Sequence, residues 1–346
     1  MASPEANSPG EVYVTVSALD AGHLTLPERL FVTAADPEKR ATVPSLAFLI
    51  QHPSAPPARP GSRATNLVFD LGLKRDLSGY APAQAQHITQ RQPIILQPDC
   101  ADSLRQGQFD PATEVDMVVL SHVHWDHVGT PSDFANAVFV VGSGTLDLLQ
   151  HGAGPAYPAD VFNDDEIPAS QTVELPPVAR NHVIKNDDDD AAAIAYAEPR
   201  HTPASAEARA RLPGAATAWA WTPLDSFPAA LDLFGDGSLH VIDSPGHLYG
   251  HVNLLARIGP LKYIYLGGDC CHDPRILRGE KDIALYDDGR GGLRSVHVHT
   301  STARRTLDRI NEFVRARAGQ VSVEVVVAHD AEWREKNKHR FWPQTL

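Results

Sequence analysis

The chain has 346 residues, 42% of them hydrophobic, and a formal net charge of −13. That length suits one large α/β domain with inserts, and the apolar content is compatible with a full core. The negative charge repels phosphate backbones and argues against nucleic acid as a partner. It also disfavours strongly anionic substrates unless a local basic pocket exists.

In chain order, residues 1–10 show no basic region followed by an apolar stretch and no Arg-rich transit pattern. They read as a short disordered leader, and a cytoplasmic location is the simplest expectation. Residues 12–17 and 45–50 read as early strands by β-branched and alternating content. Residues 53–63, rich in Pro, Ala and Ser, read as a loop between hairpin strands, and 66–71 continue that sheet. Residues 73–80 and 84–91 read as helical or irregular. A strand-like run follows at 117–120. The run 138–141 is another strand, followed by Gly142-Ser-Gly144 and a helix over 145–151. Residues 152–225 are rich in Pro, Ala and Asp with no regular period. They read as an insert over the active-site face, and the acidic run 187–190 as a solvated turn. Strand-like runs recur at 239–242, 263–268 and 323–328. Residues 301–317 read as an amphipathic surface helix with Leu307, Ile310 and Val314 on its apolar face. No apolar run is long enough to cross a membrane, so no membrane partner is expected. Three Cys, two of them adjacent at Cys270 and Cys271, do not suggest a disulfide framework. Either adjacent thiol is a candidate to line a site, with Cys270 preferred as a small buried hydrophobe.

The chemistry concentrates in His-Val-His-Trp-Asp-His, residues 122–127. Four metal-binding side chains, His122, His124, Asp126 and His127, fall within six positions where a strand ends. His122 and His124 are two apart, so an extended segment projects them to the same side. Imidazoles with a carboxylate suit zinc and similar divalent ions. His247, Asp269 and His329 each stand at or just beyond the end of a later apolar run. Open α/β architectures gather functional groups at such ends. Each is weak evidence alone: a lone His after a strand is usually an ordinary loop residue, and Asp269 alone could be a helix cap. Together they give five His and two Asp, enough for two ions that share one carboxylate.

These residues carry a resemblance to the metallo-β-lactamase superfamily of binuclear metallohydrolases. The matching pieces are S-H-V-H-W-D-H-V-G (121–129), S-P-G-H (244–247), L-G-G-D (266–269) and V-A-H-D (327–330), with L-V-F-D-L-G (67–72) before them. They run in family order over most of the chain. The resemblance implies a four-layer αβ/βα sandwich, with His122, His124 and His247 on one metal and Asp126, His127 and His329 on the second. Asp269 would bridge the pair together with a water or hydroxide. It implies two divalent ions, Zn2+ first, with Mn, Fe or Co admitted by the donors. Trp125 stands where the family often has a small residue, and is expected to pack beside the site. Among the branches, the chain most resembles quorum-quenching lactonases and related fungal lactone and lactam hydrolases, with G-G-D-C-C-H-D-P-R-I-L-R-G-E (267–280) as the pointer.

The implied reaction is attack of a metal-bridging hydroxide on the carbonyl of a small cyclic ester or amide. Asp126 is the candidate proton shuttle. Lactonases place a Tyr after the bridging Asp to donate to the carbonyl. Here Cys271 and His272 occupy that neighbourhood and Tyr265 precedes the Asp; His272 is the candidate electrophile, with Tyr265 or another group as the open alternative. His251 is a candidate to orient the loop around His247. The alternatives are a glyoxalase II-like thioesterase and an iron-dependent, oxygen-using protein of the same fold. A nuclease branch is disfavoured by the charge. A cytosolic detoxifying role against small cyclic substrates is the expected setting.

Overall fold

The computed structural model describes residues 11–53, 64–179, 200–203, 205–212 and 219–346. The expected leader (1–10), nearly all of the loop at 53–63 and the acidic run 187–190 lie outside the described residues.

Two six-stranded sheets form the centre. The first has the order β1 (Thr15–Pro27), β2 (Arg40–His52), β3 (Thr65–Phe69), β4 (Met117–Val119), β5 (Val138–Val141) and β6 (Thr172–Glu174). Its first three strands are antiparallel and β3 to β6 are parallel. The second sheet runs β7 (Thr222–Leu224), β8 (Phe227–Asp232), β9 (Leu239–Asp243), β10 (Val252–Gly259), β11 (Lys262–Leu266) and then β14 (Ser322–Val326), which pairs parallel to β11. A small hairpin, β12 (Tyr286–Asp287) and β13 (Leu293–Arg294), stands apart. The helices in chain order are α1 (Pro82–Thr89), α2 (Cys100–Gln106), α3 (Pro111–Glu114), α4 (Trp125–Val128), α5 (Thr145–His151), α6 (Ala206–Ala210), α7 (Pro274–Leu277), α8 (Thr300–Arg317) and α9 (Ala331–Asn337).

Period-two patterning builds the layers, because successive strand residues face opposite sides. Leu46, Phe48 and Ile50 of β2 face Leu239, Val241 and Leu254 of the second sheet in one buried cluster. The intervening Ala47 and Leu49 turn the other way, to Leu104 of α2 and Leu148 of α5. On the far side, Ile242, Leu255 and Tyr265 meet Leu307, Ile310 and Phe313 of α8. Both faces of each sheet are therefore apolar. The result is helix, sheet, sheet, helix: the four-layer sandwich.

The strand readings overlap β1 to β5, β9, β11 and β14, and the helix at 145–151 matches α5. Residues 84–91 overlap α1, whereas 73–80 are irregular. In α8, Phe313 rather than Val314 completes the fully buried face. The patternless stretch 152–225 is not wholly a cover. It contributes β6 and β7, one edge strand of each sheet, each three residues long and too short to show a period. Among the described residues, no helix is long and apolar enough to cross a membrane.

Glu324 on β14 ties the C-terminal segment to the second sheet. Its carboxylate accepts from the Arg340 guanidinium at 2.7 Å through both oxygens and from the Trp333 indole N–H at 2.7 Å. Partial burial opposes the charge, but these donors hold the carboxyl below its ordinary value. A depressed carboxyl contributes stability above its unfolded value and loses it as pH falls through the folded one. Glu324→Gln should therefore cost about 1–2 kcal/mol at pH 7, and the gap from wild type should close below about pH 4. Denaturant unfolding at the two pH values measures it.

Candidate metal centre

The site forms where the strand ends of both sheets meet. β4 ends at Val119, and the chain is caught at once by Asp70, just beyond β3. Asp70 accepts from the Ser121 N–H and hydroxyl, both at 2.7 Å, and from His127 Nδ1 at 2.9 Å. To do so it adopts φ of 59°, a left-handed conformation that is costly for a residue with a side chain. The Leu71 N–H then bonds the His127 carbonyl at 2.9 Å, and the His127 N–H bonds that of His124 at 3.0 Å. This backbone lattice starts α4 and turns Asp126 and His127 into the cavity that His122 and His124 enter from the strand end.

The second sheet supplies the other wall. β9 delivers the loop that carries His247. β11 ends in Gly267 and Gly268 before Asp269, and Gly268 has φ of +47°. A Cβ there would stand 2.9 Å from Ser121 Cβ and 3.1 Å from His251 Nε2, so a bare backbone lets Asp269 approach. β14 delivers His329, and Asp330 caps α9 by accepting the Trp333 N–H at 2.8 Å, which fixes the turn around that His.

All seven expected metal ligands converge. His122 Nε2, His124 Nδ1 and His247 Nε2 lie 2.9, 3.0 and 3.2 Å apart pairwise. Asp269 Oδ2 is 3.4 Å from His247 Nε2 and 3.7 Å from His122 Nε2. Its other oxygen, Oδ1, is 3.2 Å from both His127 Nε2 and His329 Nε2. Asp126 Oδ2 is 3.6 Å from His329 Nε2. The donors therefore fall into two groups, His122, His124, His247 and Asp269, and Asp126, His127 and His329, with Asp269 reaching both.

The electrostatics divide the same way. Burial, reinforced by neighbouring imidazoles, holds His122 and His247 well below their ordinary pKa, and burial takes His124 down to about 3. These three are neutral, the form that ligates. Burial also opposes charge on His127, but Asp269 and Asp70 outweigh it and raise its pKa well above normal. His329 is raised likewise by Asp269 and Asp126. Asp269 stays ionised against burial because His272, His127 and His329 surround it. His127 Nε2, His329 Nε2 and Asp269 Oδ1 are buried and make no aligned hydrogen bond. Buried polar atoms are seldom left so. Inward-facing imidazole nitrogens around a shared carboxylate fit divalent cations.

Outer contacts fix the rings. His122 Nδ1 meets Ser121 Oγ at 2.9 Å, and His329 Nδ1 donates to the Pro44 carbonyl at 2.8 Å. His251 donates from Nδ1 to the Ser244 carbonyl at 2.9 Å, and its Nε2 accepts the Asp269 N–H at 3.2 Å. It thus orients the Asp269 loop as well as the loop after β9. His297, which the sequence did not single out, puts Nδ1 3.1 Å from His247 Nδ1. It stands in Val296-His-Val-His-Thr300 with no strand-end signal to mark it. Tyr157 and Phe162, from the stretch without period, flank the His124 ring at 5.3 and 6.1 Å between centroids.

His272 is beside the centre, with Nε2 3.0 Å from Asp269 Oδ2 and its ring 4.8 Å from that of Phe31. Tyr265 is not: it is fully buried, stacks on Phe227 at 5.6 Å, and its hydroxyl bonds the Asn253 amide at 2.8 Å. That removes it as a group facing substrate. Cys270 and Cys271 both pack in the cluster under α8, so neither thiol lines the site. Trp125 packs with Tyr80, Ile88 and Phe31 beside the site, as its position suggested.

No family model matches the chain. It is 29% identical over 98% of its length to the cytochrome P450 monooxygenase mpaDE of Penicillium brevicompactum, and spans 36% of that protein. The metallo-hydrolase mfmC of Annulohypoxylon moriforme is 27% identical over 82% of the chain and 63% of its own length. The γ-lactamase FDB1 of Fusarium pseudograminearum is 29% identical over 66% of the chain and 45% of its own length. Among solved structures, an N-acyl homoserine lactone hydrolase with N-hexanoyl-L-homoserine at its catalytic metal centre superposes with a TM-score of 0.60. It is 13% identical and covers 97% of this chain and all of its own. AidC, a dizinc quorum-quenching lactonase, gives 0.52 at 10% identity, over 92% and 88% of the two chains. The chain has the metallo-β-lactamase fold, and its donor set is one that fits divalent cations. Within that fold the chain resembles the N-acyl homoserine lactonases and the fungal γ-lactamases.

Asp70→Asn keeps the shape but removes the charge behind His127. Such outer partners typically set about 10–100-fold in metal affinity. Competitive chelator titration of the variant should show metal affinity weakened by that amount.

Proposed function

We propose that this chain opens a cyclic ester or cyclic amide by hydrolysis at a binuclear centre. Zinc is the first choice of metal. His122, His124 and His247 would hold one ion, Asp126, His127 and His329 the other, and Asp269 would bridge them. The observation that carries this reading is Asp269, with one carboxylate oxygen turned to each group of imidazoles. Bound there, two divalent ions supply a water activated near neutral pH and polarisation of the carbonyl.

The chain's own residues supply the rest. Asp126 projects its carboxylate from α4 into the second group and is buried, so it is placed to take a proton from the attacking water. It passes that proton to the ring oxygen or nitrogen as the bond to the carbonyl carbon breaks, so one water is consumed and a hydroxy acid or amino acid is released. His272 sits on the Phe31 side of Asp269, where an N–H can donate to the carbonyl oxygen. Tyr157, Phe162 and Trp125 exclude bulk water, which strengthens each of these interactions.

The test is mass spectrometry of metal-loaded protein with an acyl-homoserine lactone, a simple γ-lactone, a benzoxazolinone-type lactam and S-lactoylglutathione. Gain of one water on a cyclic substrate, lost on chelation, is the expected result. Cleavage of the thioester alone would overturn ring opening. His272→Ala should lower kcat about 10²-fold while both ions remain bound. Unchanged turnover in that variant would end the role of His272.

A further inference from the structure

Arg91 lies two residues beyond the end of α1. Its side chain is 8% exposed, and Nη1 is buried without a hydrogen-bond partner. Among the described residues, no ion pair or hydrogen bond reaches its guanidinium. Unpaired buried charge is costly, so a chain seldom keeps one without use.

The position is built. The Arg91 N–H bonds the Ile88 carbonyl at 2.9 Å, and its own carbonyl accepts the Thr25 N–H at 2.9 Å. The carbonyls on either side, of Gln90 and Gln92, both accept from Arg40 Nη2, at 2.8 and 3.1 Å. With its backbone fixed, the guanidinium lies 6.0 Å from the centroid of Phe31, the ring that also flanks His272. Burial disfavours its charge, and Asp126 is the leading group that offsets this. Gln84 is also buried, on the face of α1 that carries Ile88, which packs in the cluster of Phe31 and Trp125, and its Oε1 has no partner. Two unsatisfied buried polar groups, a cation and an acceptor, are therefore carried by α1 and the turn that follows it.

We propose that Arg91 binds a carboxylate carried by the substrate of the metal centre, with Gln84 accepting a hydrogen bond from the same molecule. A planar guanidinium suits a carboxylate in two-point contact. The proposal rests on the ring-opening reading for the identity of that substrate. It also answers the charge of the chain: with −13 overall, an anionic substrate needs one local cation to hold it.

Two readouts on metal-loaded protein test it. One is the ratio of kcat/KM for a γ-butyrolactone bearing a ring carboxylate to that for its carboxamide. The other is calorimetric binding of pyroglutamate against pyroglutamide. Wild type should favour the carboxylate about tenfold or more in each, and Arg91→Met should collapse both ratios, through KM in the kinetic one. Arg91→Lys should keep part of the preference. Gln84→Glu, which replaces the acceptor with a negative charge, should weaken carboxylate binding selectively, and it serves if Arg91→Met fails to fold. Equal handling of acid and amide by wild type, or a preference that survives Arg91→Met, overturns the proposal. If no lactone opens but the calorimetric preference depends on Arg91, ring opening fails and the carboxylate site stands. If lactones open without preference, the reverse holds.

Discussion

One buried carboxylate organises the centre. Asp269 turns its two oxygens to two groups of imidazoles. Burial alone would favour a protonated, neutral acid. The neighbouring imidazoles keep Asp269 ionised, and Asp269 in turn raises His127 and His329. The cluster is not a satisfied core network: His127 Nε2, His329 Nε2 and Asp269 Oδ1 are buried without an aligned hydrogen bond, and a divalent cation would take the place of the protons these imidazoles hold. A sandwich of two sheets can host it because strand ends from both sheets meet at one edge.

Precision comes from backbone more than from side-chain packing. Asp70 pins Ser121 and His127, His251 pins Asp269, and Pro44 pins His329. Each of these contacts joins segments far apart in sequence. Each uses a partner that fixes one ring nitrogen or one backbone N–H and leaves the other atom pointing inward. The same logic extends to Arg91, whose backbone is locked on both sides while its Nη1 is buried without a hydrogen-bond partner. The structure invests order where a ligand must be met.

Much of this was legible in the sequence. The motif at 122–127 and the three strand-end ligands could be read because metal ligands are few, chemically distinctive and placed at the ends of apolar runs. Strands β2, β3, β5, β9, β11 and β14 could be read because both faces of each sheet are covered, which makes the runs apolar and β-branched. Edge strands β6 and β7 were not visible, since three residues carry no period. The roles of Asp70 and His297 were hidden for a different reason. Both act across long sequence separations on atoms that only the fold brings near. Tyr265 shows the reverse case: its place near Asp269 in sequence suggested a role, but strand alternation turns it into the core under α8.

The account turns on two cations sharing Asp269. Anomalous diffraction from crystals of zinc-loaded protein addresses this directly. The account predicts two peaks, one within the group of His122, His124 and His247 and one within that of Asp126, His127 and His329, with an Asp269 oxygen on each. A single peak, or a metal held by His272 and His297 in place of either group, would contradict it.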